Sequence, residues 1–168
     1  LTIQSQTLVN ITHAGGSRTE TLNFGSGYVS GGAGAAILAT NDSGSCRDCS
    51  GWSTFNEGFT VENIGTVDVI LNITGVAASS FIGGTSPEFE FNFTNNESNS
   101  CSSWNLVTAA NNSFVEFDGT EDQVCDVFNF ESSTDTVDID FRLVVPSDAP
   151  PGAKGAIIQL HIHDNDYK

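Results

Sequence analysis

Hydrophobic and polar residues alternate with a period of two along most of the chain. The segment TVDIDFRLVV (136–145) places apolar side chains on one face and Asp138, Asp140 and Arg142 on the other. The segment AIIQLHIH (156–163) alternates in the same way. Successive side chains of a strand point to opposite faces, so this pattern predicts β-strands. The period of 3.6 residues that is typical of an amphipathic helix is almost absent.

The same alternation predicts further strands, separated by loops rich in Gly, Ser and Asn. These strands are expected near residues 1–12, 21–30, 34–40, 57–63, 67–74, 87–94, 104–109, 113–118 and 124–130. The small residues of SGGAGAAILAT (30–40) would suit a close approach of two sheets or subunits, but a loop that leads into a strand is favoured. Prolines in VPSDAPPG (145–152) predict a corner, since proline donates no ladder hydrogen bond. Ten or eleven short strands predict an all-β, antiparallel β-sandwich or jelly roll.

Length and charge narrow the class of protein. A chain of 168 residues fits one domain, whose core needs neither a metal ion nor a disulfide. Asp and Glu number 21 against 5 Lys and Arg, and the net charge of −16 argues against nucleic-acid partners. No apolar run approaches the ~20 residues that span a bilayer, so no membrane insertion is expected. The chain contains no Met. We therefore expect that a secretory signal peptide has been removed before residue 1.

Four cysteines and six glycosylation motifs predict a secreted, extracellular protein. Three disulfide pairings are possible, and Cys46–Cys49 with Cys101–Cys125 is favoured, because a local loop link and a hairpin link need the least rearrangement. Zinc binding or redox chemistry at CRDC is disfavoured. The motif N-x-S/T predicts N-linked glycans at Asn10, Asn41, Asn72, Asn92, Asn96 and Asn111. Asn10, Asn72 and Asn92 oppose the apolar face of their strands and are expected to face solvent.

Two further groups of residues are candidate sites of chemistry. Asp118, Glu121 and Asp122 in FDGTED form a candidate calcium site, although an ordinary acidic turn is favoured and no cofactor is required. His161 and His163, with nearby acids, match a zinc or copper chelate, but an ordinary surface strand is favoured. No nucleophile, metalloprotease or phosphate-loop motif is present in the sequence, so the protein is not expected to be an enzyme.

Two segments resemble a known family of extracellular fibre proteins. FNEGFTVENIGTVDVILNITG (55–75) resembles a segment of TasA/camelysin-type matrix-fibre proteins and of archaeal bundling pilins. VDIDFRLVVPSDAPPGAKGAIIQLHI (137–162) is similar to the closing strands of archaeal extracellular β-sandwich modules. The CRDC loop and the pair Cys101 and Cys125 depart from the TasA pattern. This departure favours a diverged archaeal relative.

The resemblance implies a subunit that polymerises by donor-strand complementation. Residues 1–12 would form the donor strand and residues 13–168 a single β-sandwich domain. Main-chain hydrogen bonds and alternate side chains would join the donor to a neighbour's open sheet edge. The interface residues would be Leu1, Ile3, Leu8, Val9 and Ile11. The alternative, which stays open, is that residues 1–12 pair within their own sheet.

The predicted function is a structural subunit of an extracellular filament, either a pilus or a biofilm matrix fibre at the cell surface. Its partners would be identical subunits in a helical polymer. The alternative is a monomeric adhesin or carbohydrate-binding module, in which Trp52 or Trp104 would stack on a sugar. Twelve Phe against two Trp and two Tyr favour a core role for the aromatic residues, because Phe has no polar group to present at a surface.

Overall fold

The computed structural model describes residues 8–13, 22–40, 46–52, 58–105 and 113–165. Within these ranges the chain is an antiparallel β fold whose one helix, α1 (Ala78–Phe81), is a single turn. The predicted all-β sandwich class is confirmed.

The larger sheet, named sheet I here, has seven strands in the described part of the chain. They are β1 (Val9–His13), β3 (Ala35–Ala39), β4 (Cys46–Arg47), β6 (Phe59–Asn63), β8 (Glu88–Asn95), β10 (Val115–Glu116) and β12 (Thr136–Pro146). The long strand β12 lies at the centre, with β8 along one edge and β6 and β3 along the other. Each flanking strand carries one more strand: β10 beside β8, β1 beside β6 and β4 beside β3.

The smaller sheet, named sheet II, has four strands in the order β13, β7, β11, β9. Their bounds are β7 (Val69–Gly75), β9 (Cys101–Trp104), β11 (Glu121–Phe128) and β13 (Ile158–Asp164). Strand β11 leaves the regular register at two places on each side. A short ribbon of β2 (Tyr28–Val29) and β5 (Cys49–Ser50) completes the described strands.

The core is built from the apolar faces of the two sheets and is rich in phenylalanine. The rings of Phe89 and Phe91 lie 4.7 and 4.6 Å from that of Phe117. Phe117 also packs on Gly75 of sheet II, where an added Cβ would lie 2.5 Å from the ring. Because Gly75 has no side chain, the Phe117 ring fits between the two sheets. Burying such rings is the main favourable contribution to folding.

The structure confirms most predicted strands and corrects several boundaries. The strand predicted at 124–130 is β11 and begins three residues earlier, inside the predicted loop FDGTED. The strands predicted at 21–30 and 113–118 are only two residues long in the structure, as β2 and β10. The strand predicted at 104–109 is β9, which ends at Trp104, and residues 106–109 lie outside the described ranges. Two short strands, β4 and β5, lie within the CRDC loop.

Candidate functional site

The candidate site for subunit assembly is the N-terminal strand β1, at the edge of sheet I. It pairs antiparallel with β6 of its own chain, from Val9 opposite Asn63 to His13 opposite Phe59. Its pairing with β6 is its only strand pairing within the described ranges. The chain therefore pairs residues 9–13 within its own sheet, as the alternative predicted, while exchange with a neighbour stays a prediction.

The side chains of β1 follow the predicted alternation. Val9 and Ile11 are half-buried and pack against the core, next to Val61, which is fully buried. On the other face, the Asn10 amide nitrogen donates to the Glu62 carboxylate at 3.4 Å. Leu8, just before the strand, is 50% exposed. The remaining predicted interface residues, Leu1 and Ile3, lie outside the described ranges.

The favoured disulfide pairing is confirmed. Cys46 is bonded to Cys49, and Cys101 is bonded to Cys125. The second bond links the neighbouring strands β9 and β11 of sheet II, since Phe128 pairs with Cys101 and Cys125 with Trp104. Both of its cysteines are buried in the core. This bond therefore ties the edge strand β9 covalently to β11.

Two of the predicted glycosylation sites do not face solvent, so the prediction that they do is wrong. Asn72 and Asn92 lie opposite the apolar faces of β7 and β8, as expected, but they are only 9% and 2% exposed. The Asn72 amide nitrogen donates to Glu121, whose side chain lies across this face. Asn92 sits opposite Asp140 and next in its row to the buried Glu90. A period of two gives the face of a residue but not what covers that face.

The other predicted glycosylation sites differ in exposure. Asn96 is exposed, and its amide donates to Asp138 at 2.7 Å. Asn10 is half-buried on the outer face of β1. Asn41 and Asn111 lie outside the described ranges.

A partly buried ion pair covers part of the outer face of sheet I. Arg142 of β12 contacts the nearly buried Glu90 of β8 through two nitrogens, Nε and Nη2, the latter at 2.7 Å. The ring of Phe114 lies 4.7 Å from the guanidinium carbon. The hydrogen bonds and charge of Glu90 raise the pKa of Arg142, so the arginine is held in its charged form.

Two aspartates of β12 accept hydrogen bonds from threonine hydroxyls on the same face. Thr40 donates to Asp140 at 2.6 Å, and Thr60 donates to Asp138 at 2.7 Å. Burial raises the pKa of Asp140, the bond from Thr40 works against that rise, and the charge of Asp138 adds to it. Ionised Asp140 is therefore less stable in this position than in water.

The structure does not bring the three residues of the predicted calcium site together. Asp118 accepts hydrogen bonds from the backbone N–H and hydroxyl of Thr120, which lower its pKa. Burial, and then the charge of Asp118, raise the pKa of Asp122. Glu121 points to the outer face of sheet II instead, because adjacent residues of a strand face opposite ways. The trio therefore does not converge on one point.

Glu121 belongs to a different cluster, with two histidines of β13. The His161 and His163 Nε2 atoms each lie 3.9 Å from a different oxygen of its carboxylate. The sequence pattern suggested acids close to the histidines along the chain as their partners instead. The missed contact depends on the order β13, β7, β11, which places residues from distant parts of the chain side by side.

The predicted sugar-stacking residues have little free surface. Trp52 and Trp104 are half-buried and pack against the core. Tyr28 of β2, by contrast, is 65% exposed.

Within the described ranges, no cluster of three or more His, Cys, Asp or Glu residues is placed to hold a metal ion.

No helix in the described part of the chain has the length and apolar character needed to cross a membrane.

No family model matches the chain, and no match was found among curated proteins or solved structures. The resemblance to TasA/camelysin-type proteins and archaeal bundling pilins stays a prediction.

Proposed function

We propose that the protein is the structural subunit of an extracellular filament, a pilus or matrix fibre, whose subunits are joined by exchange of the N-terminal strand. One observation carries the proposal: β1 is an edge strand whose pairing, within the described ranges, is with β6 alone. A second copy of the chain could supply the same strand to the same edge and keep every register pair. An exchanged assembly would therefore retain every strand pair that is seen within one subunit.

The length of the connection after β1 sets how far an exchanged strand can reach. Eight residues, AGGSRTET (14–21), separate His13 from Leu22, and they include Gly15 and Gly16. Fully extended, eight residues span up to about 28 Å. Insertion of each β1 into the next subunit is a head-to-tail contact, and such contacts propagate into a fibre unless they close a ring.

An extracellular location is supported by the covalent chemistry of the chain. Two disulfides are typical of oxidising compartments, and one of them lies in the core of the sandwich. The exposed glycosylation motif at Asn96 suits the same location. We propose that the subunit is secreted and assembles at the cell surface.

Deletion of residues 1–12 tests the proposal. The deletion removes Val9 and Ile11 from the core and opens the edge of β6, so the variant is expected to be less stable and unable to form filaments. A synthetic peptide of residues 1–12 should restore its stability and, added in excess to the intact protein, should stop filament growth. A peptide of the same composition in scrambled order is the control. Filament growth by the deletion variant would contradict the proposal.

A monomeric surface adhesin is the second candidate, and the pairing of β1 within its own chain favours it. In that case native material would run as a compact particle near 17.7 kDa plus its glycans. Negative-stain images of native material separate the two candidates, since the filament predicts long ordered fibres.

A further inference from the structure

The outer face of sheet II carries a cluster of four polar side chains that the filament proposal does not use. His161 and His163 come from β13, Asn72 from the neighbouring strand β7 and Glu121 from β11. The histidine Nε2 atoms lie 3.9 Å from Glu121 Oε2 and Oε1 respectively. One carboxylate thus stands between two imidazoles.

One buried polar atom of this cluster, on Asn72, has no hydrogen-bond partner. A carboxylate only accepts hydrogen bonds, so the contact with Glu121 requires the amide nitrogen of Asn72 to face it. The amide oxygen, Oδ1, is then left buried without any hydrogen-bond partner, although the residue is only 9% exposed. A buried acceptor left unpaired is unfavourable, so such an atom calls for a ligand or a water molecule.

We propose that this cluster binds a divalent transition-metal ion, with His161, His163 and Glu121 as its protein ligands. Two imidazoles and a carboxylate are the donor set that zinc and copper accept, with bonds of about 2.0–2.2 Å. Asn72 Oδ1 serves as a further ligand or accepts a hydrogen bond from a water molecule on the metal. The net charge of −16 favours the approach of a cation.

No group of three His, Cys, Asp or Glu side chains in the described ranges is already placed to hold a metal ion, so rotation of the side chains must complete the site. Tetrahedral ligands at these bond lengths stand roughly 3.4 Å apart, so each 3.9 Å separation must close by about 0.5 Å. The side chains of His161 and His163 are 36% and 56% exposed, and that of Glu121 is 44% exposed. All three side chains are therefore partly exposed and have room to rotate.

Zinc titration of the whole, chelator-treated protein by calorimetry tests this proposal. The expected result is one zinc ion per chain, with copper bound more tightly than zinc. His161→Ala, His163→Ala and Glu121→Gln should each weaken zinc binding by at least about tenfold. His13→Ala removes the third histidine and Glu116→Gln an exposed carboxylate of β10, and both controls should bind zinc like the wild type.

A second measurement separates lost ligands from lost folding. All variants should unfold at the wild-type temperature in chelator, and zinc should shift the ring NMR signals of His161 and His163 but not those of His13. Failure of the wild type to bind zinc would overturn the proposal. So would zinc binding that survives the double variant His161→Ala/His163→Ala. Neither result bears on strand exchange, which involves the other sheet.

Discussion

Removal of Arg142 is expected to destabilise the fold because it leaves Glu90 charged and unpaired on a covered face. The Glu90 side chain is 9% exposed, whereas the Arg142 side chain is 35% exposed. Breaking a fully buried pair by losing one partner costs about 3–5 kcal/mol. Water reaches the arginine side of this pair, so we expect a smaller loss, about 2–3 kcal/mol, for Arg142→Met. In a chain of this length, that loss lowers the melting temperature by about 5–10 °C.

The assay is urea unfolding of four proteins: wild type, Arg142→Met, Glu90→Gln and the double variant. The double variant should recover most of the loss, because Glu90→Gln removes the stranded charge. The reasoning would be refuted if the free energy of unfolding of Arg142→Met lay within about 0.5 kcal/mol of the wild-type value. It would also be refuted if the double variant were no more stable than Arg142→Met.

Three further predictions follow from the described contacts. Replacing Cys101 and Cys125 by serine should lower the free energy of unfolding by about 3 kcal/mol in urea titrations, since the bond closes a loop with a sequence separation of 24. Asp140→Asn should raise stability at neutral pH, because burial raises the pKa of Asp140 and thus penalises its ionised form in the fold. That gain should vanish once the pH falls below the unfolded-state pKa, which urea titrations at pH 7 and about pH 3 would check. Glycopeptide mass spectrometry should find higher occupancy at Asn96 than at Asn92, because Asn96 is exposed and Asn92 is buried.

The alternation of residues was sufficient to predict the fold class and the faces of the main strands. Phe89, Phe91 and Phe93 are buried together, as their spacing indicated, because strand geometry repeats every two residues. The same rule failed for the surroundings of Asn92. Whether an outward face meets water depends on what lies over it, and a local period carries no information about such long-range contacts.

The histidine cluster shows the same limit. The pattern HIH was visible in the sequence, but its acidic partner, Glu121, is 40 residues away from His161 and was assigned to a turn. Strand order brings them together, because β13 and β11 flank β7. The start of β11 inside FDGTED decided which way Glu121 points, and strand boundaries are the feature that sequence patterns define least well.

A disulfide trap at the β1–β6 pair tests strand exchange most directly. Asn10 and Glu62 are register partners whose side chains touch at 3.4 Å, so Asn10→Cys with Glu62→Cys should form a disulfide wherever β1 docks. The control is Thr74→Cys with Gln159→Cys, a register pair between β7 and β13 inside one subunit. In assembled material run without reductant, exchange predicts a ladder of covalent multimers for the first pair and monomers for the control. Monomers alone for the first pair would contradict the account.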